Sequence, residues 1–473
     1  MPRRITRRRA VQLGTAGALG YLFTGSSVSV RRAYGANETL RVAGIGVGGK
    51  GAGDIDQAGQ LMTVVALCDI DDERTGQRLK VWPNAKPFFD YRQMFDKMGK
   101  EFDAVTVSTA DHSHAPASAL AIRAKKHVYC QKPLTHTVAE ARLLRELAAE
   151  HKVCTQMGNQ GSAHNGLRRA VEIVQSGLLG AVREAHVWTN RPAHYWKQSP
   201  DIVARPKDEP PVPKGVHWEE WIGPAPMRPY ARAFAPRPAY HPHDWRGYWD
   251  FGTGALGDMA CHTANMAFRA LKLDAPTAVD AEAAEINPET YPAWGRIRYH
   301  FPARGELPAC VLHWYEGKRD GKTVLPPDDL LAKLLKKGEK LSDSGSILVG
   351  EKGTLFSPND YGAKFTFTPE KDFAGVQTAK PEKAVAGVDK DEDSYMKKEW
   401  VEAIKANKPA LAASNFDYAG RLTEAMLLGN IAVRFAGTKL EWDAAKLRFT
   451  NSDAATKLVS KEYRKGWNPL AVG

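Results

Sequence analysis

The feature that most narrows what this chain can fold into is a glycine cluster set between two apolar runs. Residues 40–45, LRVAGI, have the pattern of a buried strand, and Gly46-Val47-Gly48-Gly49-Lys50-Gly51 follows at once and opens a helical stretch. A second apolar run, MTVVALCD, ends in Asp69, 23 residues after Gly46. The chemistry requires glycine at each step. Gly46 permits the tight turn, Gly48 lets the backbone approach a pyrophosphate, and Gly51 lets the helix pack close to the strand. The helix start presents free N–H groups and a partial positive charge to phosphate. Gly46, Gly48, Gly49 and Gly51 are therefore assigned to a dinucleotide. An acid at Asp69 hydrogen-bonds the ribose hydroxyls and repels a 2′-phosphate, which favours NAD and disfavours NADP.

The strand–helix rhythm continues. FDAVTVST (102–109) reads as a third parallel strand and HVYC (127–130) as a fourth. Ligands in open α/β sheets sit beyond the carboxyl ends of strands. Thr109, Asp111 and His114 follow one strand end, and Gln131 and Lys132 follow the next, so all five are candidate cofactor contacts. A chain of 473 residues exceeds one ordinary core. The expected division is a leader over 1–36, a Rossmann dinucleotide-binding domain over 37–160, and a second domain over 161–473, with C-terminal helices near 393–406 and 418–437.

The net charge of +12 does not indicate nucleic acid. Seven arginines and no acid fall within residues 1–36, and removing the seven leaves +5 over the remainder, with no block of lysines interleaved with aromatics. The leader runs from PRRITRRRA through a weakly apolar stretch to RRAYGA, the layout of an export signal. Thr6-Arg7-Arg8-Arg9-Ala10-Val11-Gln12 resembles the twin-arginine motif, with Ala10 where that motif usually has phenylalanine. Export by that route to the periplasm is expected, or attachment to the membrane if the signal is not cleaved. Twin-arginine export carries folded proteins, so a bound cofactor would travel with the chain. None of the five cysteines has CxxC or zinc spacing, and no metal is expected.

Taken together, GVGGKG (46–51), CDID (68–71), TADHSHAPASALAIRAKKHVYCQKPL (109–134) and GDMACHTANMAF (257–268) resemble the Gfo/Idh/MocA oxidoreductases, as does the tail NFDYAGRLTEAMLLGNIAVRFAGTKLEWD (415–443). The resemblance implies an α/β protein: an N-terminal Rossmann NAD-binding domain, then a C-terminal α/β domain with a large, mostly antiparallel sheet. The open face of that sheet would line the active site, and the sheet would form the contact of a dimer or tetramer. The family tripeptide is Glu-Lys-Pro, and here it reads Gln131-Lys132-Pro133. The resemblance places Lys132 near the nicotinamide and the reacting hydroxyl. Gln131 removes an adjacent anion that would raise the lysine's pKa. Asp258 and His262 match the family's Asp-x-x-x-His. Their i, i+4 spacing puts both on one helix face, where the carboxylate can fix the imidazole tautomer. Asn265, three residues on, is a candidate substrate contact.

Residues 190–250 are rich in proline and aromatics, with little periodicity. A loop this long in a compact protein is usually functional. Its aromatic faces can stack on sugars, and His194, Tyr195, Trp245 and Arg246 are the substrate-binding candidates. Residues 317–343 read as a lysine-rich surface insertion, and 346–356 as a hairpin. Three functions fit. The first is an NAD-dependent oxidoreductase on a sugar or polyol, with Lys132, Asp258 and His262 catalytic. The second is a glycoside hydrolase or lyase that oxidises its sugar transiently. The third is a non-catalytic dinucleotide- or sugar-binding protein.

Overall fold

The computed structural model describes residues 39–471 apart from 235–236, 337, 377–380 and 383. The export signal expected over residues 1–36 lies outside them.

The first half alternates strand and helix: β1 (Arg41–Ile45), α1 (Lys50–Gly59), β2 (Thr63–Cys68), α2 (Asp72–Val81), β3 (Lys86–Phe88), α3 (Tyr91–Met98), β4 (Ala104–Val107), α4 (His114–Arg123), β5 (His127–Cys130), α5 (Val138–His151) and β6 (Thr155–Met157). The six strands pair in parallel in the order β3-β2-β1-β4-β5-β6. Helices cover both faces, which is why β4 is buried at every position and shows no polar alternation. The strand order reverses between β1 and β4, and the crevice beyond their carboxyl ends is where such sheets bind ligands.

The second half contains α6 (Asn165–Gln175), β7 (Val182–Thr189), α7 (Trp218–Ile222), β8 (Arg232–Phe234), β9 (Arg237–Pro238), α8 (Gly254–Thr263), α9 (Asn265–Ala270), β10 (Ala278–Ala283), β11 (Trp294–Phe301), β12 (Cys310–Arg319), β13 (Lys322–Thr323), α10 (Asp328–Leu334), β14 (Gly345–Gly350), β15 (Thr354–Ser357), β16 (Thr366–Thr368), α11 (Glu392–Ala406), α12 (Phe416–Ala432), β17 (Leu440–Asp443), β18 (Arg448–Phe449) and α13 (Asp453–Lys457). The large sheet runs β16-β15-β14-β7-β12-β11-β10-β17-β18. Only β7–β12 is parallel within it.

Period-2 alternation sorts the residues of this sheet onto two faces. Ala185, Val187, Leu312 and Trp314 point to α8 and α12 and join the core that also holds Val105 and Leu144 of the first half. One continuous core thus spans both sheets. The opposite face carries Glu184, Arg298, His300 and His313. Residues 317–343 are not simply a surface insertion. Val324 and Leu331 pack with Trp188, Tyr315, Ile347 and Phe356 in a small separate core on that same face.

The 190–250 stretch builds a core of its own from Trp221, Ile222, Tyr240, Trp245 and Tyr248, joined by Phe251 just beyond it. It also crosses back to the first sheet. The Asp72 N–H donates to the Gly215 carbonyl at 2.9 Å, and the His217 N–H to the Ile70 carbonyl at 2.8 Å. The Phe89 and His217 rings stack at 3.9 Å.

Candidate functional site

Gly46 sits at φ 74 with its backbone pressed on the Ser108 carbonyl, where a Cβ would come within 2.6 Å. A Cβ at Gly51 would collide with the Gly46 carbonyl, so glycine there is what lets α1 begin directly at the strand end. The first turn of α1 carries no acidic side chain to compete for its N–H groups. A cavity of about 430 Å³ opens here, walled by Gly46, Gly48, Gly49, Asp69, Thr109, Asp111, Gln131 and Lys132. The glycine cradle, the open helix start and the cavity fit a dinucleotide.

Asp69 is tied to that loop from behind. Its Oδ2 accepts from the Val47 N–H at 2.7 Å and the Gly48 N–H at 3.0 Å, while Oδ1 accepts from the Asp71 N–H at 3.1 Å. Burial raises its pKa, opposed first by the nearby Arg74. The carboxylate therefore fixes the shape of the loop as well as facing the cavity. Asp111 reaches across to the second half, accepting from the Thr253 Oγ1 at 2.6 Å and the Thr253 N–H at 3.1 Å. His114 is not on the cavity wall. Its ring nitrogens meet the Pro133 carbonyl at 2.7 Å and the Thr109 carbonyl at 3.1 Å, so it braces the two strand ends.

Lys132 and Asp258 meet across the junction of the two halves. The Lys132 Nζ donates to the Asp258 Oδ1 at 2.5 Å and to the Asp258 carbonyl at 3.1 Å. The Arg246 Nε lies 3.7 Å from the same carboxylate oxygen. Burial works against the charge on Asp258, but Lys132 and Arg246 outweigh it and hold the carboxyl down at about 2. The anion beside Lys132 is thus Asp258. The i, i+4 pairing of Asp258 with His262 is not what forms, because the carboxylate turns to the two cations. His262 lies one turn further along α8, 4% exposed and off the cavity wall. Its Nδ1 has no hydrogen-bond partner among the described residues, and its ring meets Tyr361 edge-on at 5.0 Å. Burial, and then the charge of Lys132, push its pKa down to about 3, which keeps the imidazole neutral.

The substrate candidates separate. Trp245 and Arg246 line the cavity, with the guanidinium 4.2 Å from the indole centroid. His194 and Tyr195 stack on each other at 4.3 Å away from the cavity wall, and Arg191 covers the other partner of that stack at 3.5 Å from the Tyr195 ring. Asn265 is internal: it donates to the Ser162 Oγ at 2.9 Å and accepts from the Tyr418 hydroxyl at 2.6 Å, so its amide is spent on packing. Among the described residues, the open face of the second sheet contributes nothing to this cavity. Its wall comes instead from the 190–250 stretch and the tail, through Trp221, His241 and Trp467. Sequence reasoning missed these three, together with Arg74 and Asp54. Only the aromatic richness of the loop hinted at the first two.

Comparison with known proteins gives this geometry a family. Residues 40–159 match the Gfo/Idh/MocA model for an oxidoreductase family NAD-binding Rossmann fold, and residues 165–310 match that family's C-terminal alpha/beta domain. Together the two cover more than half of the chain. Inositol 2-dehydrogenase of Salmonella typhimurium is 27% identical over 153 residues, 31% of this chain and 45% of the relative. Inositol 2-dehydrogenase 3 of Saccharopolyspora erythraea is 30% identical over 158 residues, 31% and 44%. The 2,7-anhydro-N-acetylneuraminate hydratase of Escherichia coli is 26% identical over 104 residues, 21% and 28%. The chain thus spans less than half the length of these curated relatives. Two solved structures share the fold: the WlbA dehydrogenase of Bordetella pertussis with NADH and UDP-GlcNAcA (TM-score 0.56, 14% identity, 86% of this chain, 98% of that one) and an inositol dehydrogenase homolog of Azotobacter vinelandii with NADH and myo-inositol (0.55, 14%, 85% and 98%).

Proposed function

This chain belongs to the Gfo/Idh/MocA oxidoreductase family, and from that premise we propose that it is an NAD-dependent oxidoreductase acting on a hydroxyl of a sugar or polyol. The observation that carries the proposal is the Lys132–Asp258 contact at 2.5 Å, which sets a lysine of the first half against a carboxylate of the second at the edge of the dinucleotide cavity. When bound, the nicotinamide supplies the acceptor for the substrate's hydride. The chain's own residues position the substrate and handle its proton. Lys132, on the cavity wall, stabilises the developing alkoxide; Asp258 holds the Lys132 ammonium in place; His262, neutral and one turn along α8 from Asp258, takes the hydroxyl proton of a substrate that reaches past the cavity wall. Trp245 and Arg246 offer an apolar face and hydrogen-bond donors to a ring and its hydroxyls. Asp69 at the cavity wall supports NAD over NADP.

A second reading has its own support. The cavity wall includes Trp221, His241 and Trp467, and the stretch that carries the first two is bonded back to Ile70 and Asp72 beside the glycine loop. A wall drawn from both the 190–250 stretch and the C-terminal tail suits an enzyme that keeps its cofactor, oxidises its sugar transiently, cleaves or hydrates it, and then returns the electrons. A relative named a hydratase is in keeping with that cycle. Export of the folded chain by the twin-arginine route, to the periplasm or to the membrane surface, would make the same demand, since the cofactor must leave the cytosol already bound. We further propose that the chain assembles as a homo-oligomer through the polar face of the second sheet, whose Arg298 and His300 alternate with Glu184 and Asp280.

The test is to purify the exported protein, assay it for bound NAD, and incubate it with a panel of sugars, polyols and aryl glycosides. Accumulation of NADH with a keto product supports net oxidation. Release of the aglycone without net NADH supports the transient cycle. Neither outcome over the whole panel leaves a dinucleotide- or sugar-binding protein.

A further inference from the structure

Beneath the glycine loop lies a carboxylate that the mechanism above does not use. Asp54, on the second turn of α1, is fully buried. Its Oδ2 accepts from the Ser108 Oγ at 2.8 Å and from the Gln131 Nε2 at 2.8 Å. Its Oδ1 meets the Lys50 Nζ at 2.5 Å and the Lys397 Nζ at 2.7 Å. Asp393 bridges the same two ammonium groups, at 2.7 Å from each. Lys397 is itself fully buried, 4.6 Å from the Tyr129 ring centroid. The assembly balances two cations against two carboxylates.

Three of the four donors to Asp54, Lys50, Ser108 and Gln131, line the cofactor cavity. Lys50 belongs to the glycine loop, Ser108 precedes Thr109 at the end of β4, and Gln131 precedes Lys132 at the end of β5, with the Lys132 N–H donating to the Gln131 Oε1 at 3.3 Å. Lys397 comes from α11, far along the chain. One buried carboxylate thus ties the ends of β1, β4 and β5 to a helix of the second half. Gln131 donates in this arrangement, and a carboxylate in its place would set a second anion against Asp54, whose cations Lys50 and Lys397 are already shared with Asp393.

We infer that Asp54 is a positioning residue for the dinucleotide cavity, and that Gln131 is its obligatory uncharged partner, which seats the Lys132 strand end. The inference rests on the NAD-binding part of the proposed function but not on its substrate. It makes position 131 sensitive to charge in a defined way. Gln131→Glu sets two carboxylates against each other, so one proton must be shared between them. The groups that face this pair among the described residues are Lys50 from α1, Asp393 and Lys397 from α11, Ser108 from β4 and Tyr129 from β5. Gln131→Glu combined with Asp54→Asn moves the single negative charge across the same hydrogen bond and restores the balance.

The experiment measures NADH binding to the full chain, after removal of any bound nucleotide, by energy transfer from tryptophan between about pH 5 and pH 8, alongside melting temperatures. Gln131→Glu should bind NADH at least about tenfold more weakly at neutral pH, the equivalent of one pKa unit of repulsion, and regain affinity as the pH falls. The double variant should bind within about threefold of the parent across the range, because the net charge of the pair is unchanged. If Gln131→Glu alone does not fold, a double variant with the parent's melting temperature and affinity sustains the inference, and one that is equally unfolded overturns it. A folded Gln131→Glu that binds like the parent or more tightly overturns it as well, and leaves the proposed function standing. A parent chain that binds no NADH overturns both.

Discussion

Two lysine–aspartate contacts flank the dinucleotide cavity, and they differ in what surrounds them. Lys397 and Asp54 are sealed, with both side chains at 0% exposure. Lys132 and Asp258 retain 20% and 12%, and Lys132 reaches the cavity wall. A sealed pair has every lone pair and proton spoken for, and its removal leaves an uncompensated charge in a low-dielectric interior. A pair on a wall keeps room for a third party. The difference teaches that the same two residue types serve placement in one position and chemistry in the other, and mutation should separate the two roles.

The largest expected effect is on the wall. Lys132→Met should lower turnover by roughly 10²–10⁴-fold, the usual range for a positioned acid–base group. NADH affinity should change little, and stability by no more than about 1 kcal/mol because the pair is partly solvated. Rate measurements beside denaturant titrations check this; a variant that unfolds readily yet turns over when folded would erase the distinction between the two pairs. The sealed pair should respond in the opposite sense. Asp54→Ala should cost about 3–5 kcal/mol in a denaturant titration, the cost of stripping one partner from a buried ion pair. A loss below about 1 kcal/mol would mean that Asp393 alone satisfies both lysines.

A smaller effect is expected at Asp69. Asp69→Ala removes a charged acceptor from two loop amides, so NAD affinity should fall by an amount on the order of 1.5–3 kcal/mol and discrimination against NADP should shrink. Titration with both nucleotides reads this directly. An unchanged preference would detach Asp69 from nucleotide choice.

The smallest effect concerns pH. His112 and His262 are held near 3, and His241 and His313 near 4, all by burial first. Below the ordinary histidine value of 6.5 the unfolded chain takes up protons that the folded chain refuses, so stability should decline as the pH falls from about 6.5 toward 4. His114 opposes this trend. Burial works against its charge, but Cys130, Asp111 and the Pro133 carbonyl outweigh it and raise it to about 9. Its contribution is complete below 6.5 and is lost as the pH rises through 9. Melting temperatures across this range should therefore peak near neutrality, and kcat/KM should show no acid limb near 6.5. A limb there would assign the base to a group other than His262.

What was legible in the sequence follows from the range of each interaction. The glycine loop could be read because its requirements are local: Gly46 turns at positive φ, and Gly51 touches the Gly46 carbonyl five residues back. Four strands of the first sheet, β1, β2, β4 and β5, follow from the βαβ rhythm, while the three-residue β3 and β6 are too short to show a period; the lysine and the Asp-x-x-x-His helix follow from resemblance. Spacing alone misleads at Asp258, since i, i+4 puts His262 on its face while the rotamer goes to the stronger charges on Lys132 and Arg246. It misleads again at Asn265, whose partners Ser162 and Tyr418 lie in distant segments. Asp54 was invisible because its four partners come from positions 50, 108, 131 and 397. The aromatics of 190–250 read as sugar platforms, but most pack against one another, while Trp245 lines the cavity and the same stretch returns to Ile70 and Asp72.

The most direct test of the central claim is His262→Ala, assayed for NADH binding and for turnover on whichever sugar or glycoside the parent accepts. The account predicts affinity within a few-fold of the parent and turnover reduced by about 10²–10⁴-fold. Activity that survives with unaltered binding would contradict it and move the proton acceptor to a group on the cavity wall.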